Sequence, residues 1–179
     1  NARNMVAFIH AFLAVSFNSF YIFTNNNLIL NIALNSSIGY FLFDMYYIIM
    51  YDKLDFLRYC FIYHHCGSLY IINNYNFLGN AHMFLLIGEL SNIPSYYIYH
   101  YLHLDNKTDE SEKKVTFYKN IQKYMYTFIR IPIISYLTFD TISKLDSNSY
   151  TYYGVVLSGI PIYLMGLAWS YKLLFKYNQ

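Results

Sequence analysis

Charged side chains make up only 12% of this 179-residue chain, about half the share found in a soluble domain, and that shortage excludes an ordinary water-facing surface. Cysteine is almost absent. Cys60 and Cys66 fall on one predicted helix about 9 Å apart at about 1.5 Å per residue, too far to bridge, so no disulfide framework follows. The net charge is only +2; without a basic face interleaved with aromatics there is no case for a nucleic-acid partner. No HxxxH spacing exists, and adjacent helical residues diverge by about 100°, so the pair His64-His65 is not expected to hold a metal. No cofactor is called for. None of the three prolines falls in a predicted loop, and there is no internal repeat or second domain.

What is abundant is apolar and aromatic. Hydrophobic residues reach 56%, and 23 of the residues are Tyr, an apolar ring with a polar tip that suits membrane interfaces and lowers a simple hydropathy score. Apolar runs at about 4–23, 29–50, 56–73, 80–102, 118–138 and 153–175 each approach the roughly 20 residues of a spanning helix, the third being the shortest. The expected fold is therefore all-α: one polytopic membrane domain over 1–179, with about six transmembrane helices around a polar cavity. Pro94, Pro132 and Pro161 lie within these spans, where each is expected to kink its helix and open the bundle. No Met stands at position 1, which leaves room for a removed upstream segment. The first apolar run is too long for a signal h-region and is expected to be a retained span.

The connections are read as Thr24 to Asn27, Asp52 to Asp55, Asn73 to Asn80, a charged solvated loop from Asp105 to Lys119, and Asp140 to Tyr150. Arg3, Lys53, Arg58, Lys107, Lys113, Lys114, Lys119, Lys123, Lys172 and Lys176 then share the side of the two termini, and only Lys144 lies opposite. The positive-inside rule puts both termini of this segment in the cytosol. The sequon at Asn106 falls on that side and should stay unglycosylated.

Ionisable residues at membrane depth are costly and mark sites. His10, Asp44, His64 and His65 all count to about 9–14 Å from the cytosolic edge, so they are expected to meet in one cavity. Ser37, Tyr40, Asp44 and Tyr47 share one face of the second span, expected to point inward. Asp44 would accept a hydrogen bond from a histidine and set its tautomer, as general-base or acyl-accepting chemistry needs; the alternative is a pair that simply locks two helices. One of His64 and His65 would face the cavity and the other a neighbouring helix. Cys60, four residues before His64, could form a thiol–imidazole pair, although a buried Cys is far more often packing. Glu89 and Arg130, about 12–14 Å from the luminal edge, are expected to pair with each other, either as structure or as a site for a lipid head group or substrate. His82, Glu89 and Asn92 share a face.

The ordered set of Arg3 with His10-Ala11, Ser37-Ile-Gly-Tyr-Phe-Leu-Phe-Asp44, His64-His65, Gly88-Glu-Leu-Ser-Asn92 and Arg130-Ile-Pro132 resembles the TLC domain. That membrane region is shared by translocation-associated membrane proteins, ceramide synthases and the ceroid-lipofuscinosis membrane protein. The resemblance implies an integral protein of lipid metabolism or membrane lipid homeostasis, expected in the endoplasmic reticulum. If it is an enzyme, it is an acyltransferase with acyl-CoA as co-substrate. His64, His65 and Asp44 would be catalytic, and His10, Tyr40, Glu89, Asn92 and Arg130 would contact substrate. Ceramide synthases carry aspartates where this chain has Glu89 and Asn92, which tilts the resemblance toward the smaller TLC-domain proteins. A ceramide synthase-type N-acyltransferase and a noncatalytic cargo or translocation partner are the alternatives, and membrane lipids the expected partners.

Overall fold

The computed structural model describes residues 2–74, 79–104 and 108–175. It is all-helical, with no strand among those residues. In order come α1 (Ala2–Thr24), α2 (Asn27–Tyr51), α3 (Phe56–Asn73), α4 (Ala81–Leu102) and α5 (Asp109–Met125). A π-helical turn (Tyr126–Arg130) carries α5 without a break into α6 (Ile131–Lys144), and α7 (Tyr150–Phe175) ends the series. Counting that continuous segment once, there are six helical rods among the described residues.

Local chemistry sets several of the boundaries. Between α1 and α2, Asn25 takes a left-handed conformation (φ 49°), which Asn tolerates better than most residues. Asn26 then caps α2 by accepting from the Leu28 amide at 2.9 Å. Asp55 caps α3 in the same way, accepting from the Arg58 amide at 2.9 Å. Such caps satisfy amides that the first helical turn leaves without partners.

The charged stretch expected to be a loop up to Lys119 is helical from Asp109. Thr108 and Ser111 form a reciprocal capping box, with the Ser111 amide on Thr108 Oγ1 at 3.2 Å and the Thr108 amide on Ser111 Oγ at 3.0 Å. Asp109, Glu110 and Glu112 occupy the first turn, where acidic groups favour the helix dipole. Hydropathy could not reveal this start because the turn is wholly polar. The expected connector from Asp140 to Tyr150 also shrinks, α6 running to Lys144. Residues 105–107, with Asn106 of the sequon, lie outside the described residues.

The rods pack as a ring whose order differs from the chain order. α1 lies between α2 and α4, α2 contacts α3, α3 contacts α7, α7 contacts α6, and the α5–α6 rod returns to α4. Small residues let the first helices approach closely: Ala7, Ala11, Ala14 and Ala33 are buried, as at interfaces where helices meet in a membrane.

The distribution of polarity is inverted relative to a water-soluble protein. Asn18, Ser37, Asp44, His65, Glu89, Ser91 and Ser170 are buried, whereas Phe12 is 60% and Phe23 85% exposed. Three helices, α1, α2 and α7, are long and apolar enough to cross a membrane. By length and composition they mark a membrane protein. α3 and α4 are more polar because they carry Arg58, His64, His65, His82, Glu89 and His100. All three prolines are helical: Pro94 within α4, Pro132 in the first turn of α6 and Pro161 within α7.

Candidate functional site

The face of α2 that carries Ser37 and Asp44 is turned inward, and both residues are buried. Asp44 stands at the centre of an ionic chain. Arg3 grips it in fork fashion, Nε to Oδ1 at 2.7 Å and Nη2 to Oδ2 at 3.0 Å. The same guanidinium reaches Asp52 Oδ2 through Nη1 at 2.9 Å, and Arg58 Nε donates to that oxygen at 2.9 Å. On the inner side, His65 Nε2 lies 2.9 Å from Asp44 Oδ2. A carboxylate oxygen here accepts, so the hydrogen-bond network assigns the His65 proton to Nε2. The other ring nitrogen of His65, Nδ1, is buried without a hydrogen-bond partner.

His10 joins this cluster by stacking, not through Asp44. Its ring lies on Tyr40 with centroids 4.0 Å apart, and its Nε2 is 3.1 Å from Ser37 Oγ. Ser37 gives its only hydroxyl proton to the Ala33 carbonyl at 3.0 Å, so Nε2–H must donate to Ser37. The remaining nitrogen, Nδ1, faces Glu89 Oε1 at 3.9 Å. Two acceptors facing each other are favourable only with a proton on one of them. His10 and Glu89 thus approach each other across α1 and α4 without a hydrogen bond between them, and His10 Nδ1 is buried without a hydrogen-bond partner.

A half-open cavity of about 140 Å³ lies inside the ring. Its wall is mainly apolar, with Phe41, Leu85, Ile134 and Ile162 among the lining residues, and His64, Glu89, Asn92 and Arg130 supply polar groups. The expected cluster thus divides. His64 reaches the cavity, while His65, its neighbour in sequence, turns to Asp44 on α2. Asp44, His10, Tyr40 and His65 are not on the cavity wall, but Phe41 connects the two sets: it lines the cavity and its ring lies 5.0 Å from that of His65.

The expected ion pair between Glu89 and Arg130 is not formed. Arg130 Nη1 instead donates to Ser91 Oγ and Asn92 Oδ1, both at 2.9 Å, and to the Gly88 carbonyl and Tyr126 Oη, both at 3.2 Å. The guanidinium also lies over the Tyr126 ring, 4.7 Å from its centroid, within cation–π range. Glu89 also lines the cavity, but its Oε1 lies 3.9 Å from His10 Nδ1. Nor do the two depth groups stay apart: His64 and Arg130 line one cavity. In a hydrocarbon layer about 30 Å thick, groups counted 9–14 Å from one edge and 12–14 Å from the other differ by no more than about 9 Å in depth. Long side chains close that gap.

Arg130 is presented by the π turn. Pro132 has no amide to bond the Phe128 carbonyl, and the Ile131 amide reaches back five residues to the Tyr126 carbonyl. The wider turn accommodates the proline ring and sets Arg130 against Gly88, Ser91 and Asn92 of α4. On the same α4 face as Glu89, His82 packs edge-on to Tyr21 with centroids 5.0 Å apart. No hydrogen bond joins Cys60 to His64; Cys60 lies in a shallow depression with Tyr59, Tyr63, Pro161 and Met165.

Sequence reasoning passed over several contributors. Arg3 was read for topology and as part of the ordered set, not as a partner of Asp44, although it stands seven residues before His10, on the inward stripe that includes Ala7, Ala14 and Asn18; that period was the available signal. The glycines were not sorted at all. A Cβ at Gly88 or Gly166 would meet no heavy atom within 4 Å, and at Gly159 only Val155 at 4.0 Å. All three line the cavity. A Cβ at Gly67 would come within 2.6 Å of Ile162 Cδ1, and one at Gly154 would strike the Tyr70 ring. The first set leaves room in the cavity, and the second lets α3 and α7 meet.

Among the described residues, no group of three or more His, Cys, Asp or Glu side chains converges closely enough to hold a metal ion. No family model matches the chain, and neither does any curated protein or solved structure. The functional reading therefore rests on the residues themselves.

Proposed function

We propose that this is a TLC-like, lipid-handling protein of the endoplasmic reticulum membrane, in which all six rods cross the bilayer and both termini of the segment face the cytosol. The inverted polarity of the ring and the segregation of Lys and Arg support that topology. The cavity takes the head and first carbons of a lipid, and the chain continues between the helices on its open side. The observation that carries this reading is His64 on an apolar-walled cavity, one residue from the buried His65–Asp44 pair.

Acyl transfer is the chemistry this arrangement supports best. His64 would take the proton from an acceptor hydroxyl or amine as that atom attacks the carbonyl of an acyl-CoA thioester. The C–S bond breaks, the acyl group passes to the acceptor, and His64 returns the proton to the departing thiolate. His65, held by Asp44 and through it by Arg3, would be a positioning residue. Glu89 and Asn92 favour a lipid acceptor other than a sphingoid base.

The test is transfer from radiolabelled acyl-CoA to lipid by the purified chain in liposomes, together with the lipid profile of cells producing His64→Ala. Loss of transfer and a changed profile are expected. A His64→Ala profile identical to wild type defeats the enzymatic reading, and ceramide as the product selects the ceramide synthase alternative. Cargo binding that survives His64→Ala, without any transfer, selects the noncatalytic one.

A further inference from the structure

We propose that the lipid held in this cavity carries an anionic oxygen group, a carboxylate or a phosphate, and that Arg130 binds it. The inference rests on the lipid-handling reading above and narrows it to a class of ligand.

Arg130 is a permanent cation on an apolar-walled cavity. Such a charge in a low-dielectric setting calls for a counter-charge, yet among the described residues no carboxylate lies within ion-pair distance of it. Asp44, Asp52 and Asp140 are held by other cations, and Glu89, although it lines the same cavity, stands outside ion-pair distance of Arg130. Asp44 is held by Arg3 and His65, and Asp52 by Arg3 and Arg58. Asp140 takes Lys144, and Glu89 faces His10. The partners Arg130 does have, the Gly88 carbonyl, Ser91, Asn92 and Tyr126, are all neutral oxygens.

The geometry adds direction. All four of those hydrogen bonds leave from Nη1, which anchors the guanidinium at one corner. The edge formed by Nε and Nη2 is the one that meets a carboxylate or phosphate with two parallel hydrogen bonds, and it makes none of them. Glu89 stands on the same cavity wall with Oε2 buried and without a partner. In its protonated form that carboxyl is a second donor toward an anionic head. Apolar residues, Ile131, Ile134, Ile142 and Leu167 among them, continue the wall. A charged head with an apolar body fits both parts.

The experiment titrates the purified full chain in neutral detergent with palmitate, hexadecanol and inorganic phosphate. Trp169 supplies the signal: it is the sole tryptophan, and its ring lies 6.4 Å from His64. Wild type should bind palmitate at least about tenfold more tightly than hexadecanol, the charge-assisted fork being the difference. Arg130→Gln should bring palmitate to the hexadecanol level while hexadecanol binding is retained, which shows an intact cavity. Equal wild-type binding of palmitate and hexadecanol overturns the anion assignment and leaves the lipid reading standing. Binding of neither overturns the lipid reading and this inference with it. Displacement of palmitate by phosphate at equal concentration would assign Arg130 to a soluble anion and overturn the lipid source. The wild-type comparison decides even where the Arg130 variant does not fold.

Discussion

Arg3 holds Asp44 through both carboxylate oxygens, at 2.7 and 3.0 Å. The first turn of α1 thereby sets the orientation and charge of the group that receives His65. This makes Arg3 part of the site although it touches no cavity wall.

Asp44→Asn leaves the part-buried Arg3 guanidinium without its main counter-charge and should cost about 3 kcal/mol, the scale for breaking one side of a buried pair. Arg3→Met should cost a similar amount. Since each removes the same contact, Arg3→Met with Asp44→Asn should lose clearly less than the two single losses added together. Thermal unfolding in detergent measures this. Strict additivity would show that the pair is not coupled.

His65→Ala removes a hydrogen bond to a buried carboxylate and should destabilise the protein by about 1.5–3 kcal/mol. His64 borders the cavity and makes no comparable bond, so His64→Ala should unfold close to the wild-type temperature. Acyl transfer should fall in both. Equal unfolding temperatures for the two variants would contradict the division of roles between neighbouring histidines.

The two sets of glycines should respond oppositely. Gly166→Ala puts a methyl group into open space and replaces a poor helix former, for a gain of up to about 1 kcal/mol. Gly154→Ala drives Tyr70 from its place and should cost about 1–3 kcal/mol, the range for overpacking. Gly166→Leu should fold and yet bind palmitate more weakly, because its side chain enters the cavity. Unaltered palmitate binding by that variant would place the acyl chain elsewhere.

Asn106 should remain unmodified when the chain is translated into microsomes. A glycosidase-sensitive shift that disappears in Asn106→Gln would place this connection in the lumen and invert the proposed topology.

Much of the helical plan was legible because hydropathy and helical period are local properties of the chain. The apolar run at 56–73 coincides with α3, and the Ser37–Asp44 face does turn inward. The start of α5 was not legible from apolar runs, since its capping box and acidic turn contain nothing apolar. Within the site, the roughly 100° between adjacent helical residues anticipated that His64 and His65 would separate. Opposite charge at similar depth suggested that Glu89 would meet Arg130, but depth says nothing about azimuth. Arg130 is taken up by the Gly88 carbonyl, Ser91 and Asn92 of α4, and Glu89, on the same cavity, stands outside ion-pair distance of it.

By itself, then, the sequence determined an all-helical chain with apolar surfaces, a small set of ionisable residues too costly to face lipid, and the face of α2 on which Asp44 lies. These follow from composition and from a period of 3.6 residues. Only the tertiary structure decided that α7 stands between α3 and α6, that Arg3 completes the Asp44–His65 pair, and that Arg130 reaches the cavity with neutral hydrogen-bond partners among the described residues. Those outcomes depend on how six rods close into a ring, and the order of helices around a ring is set by side-chain packing between segments far apart in the chain.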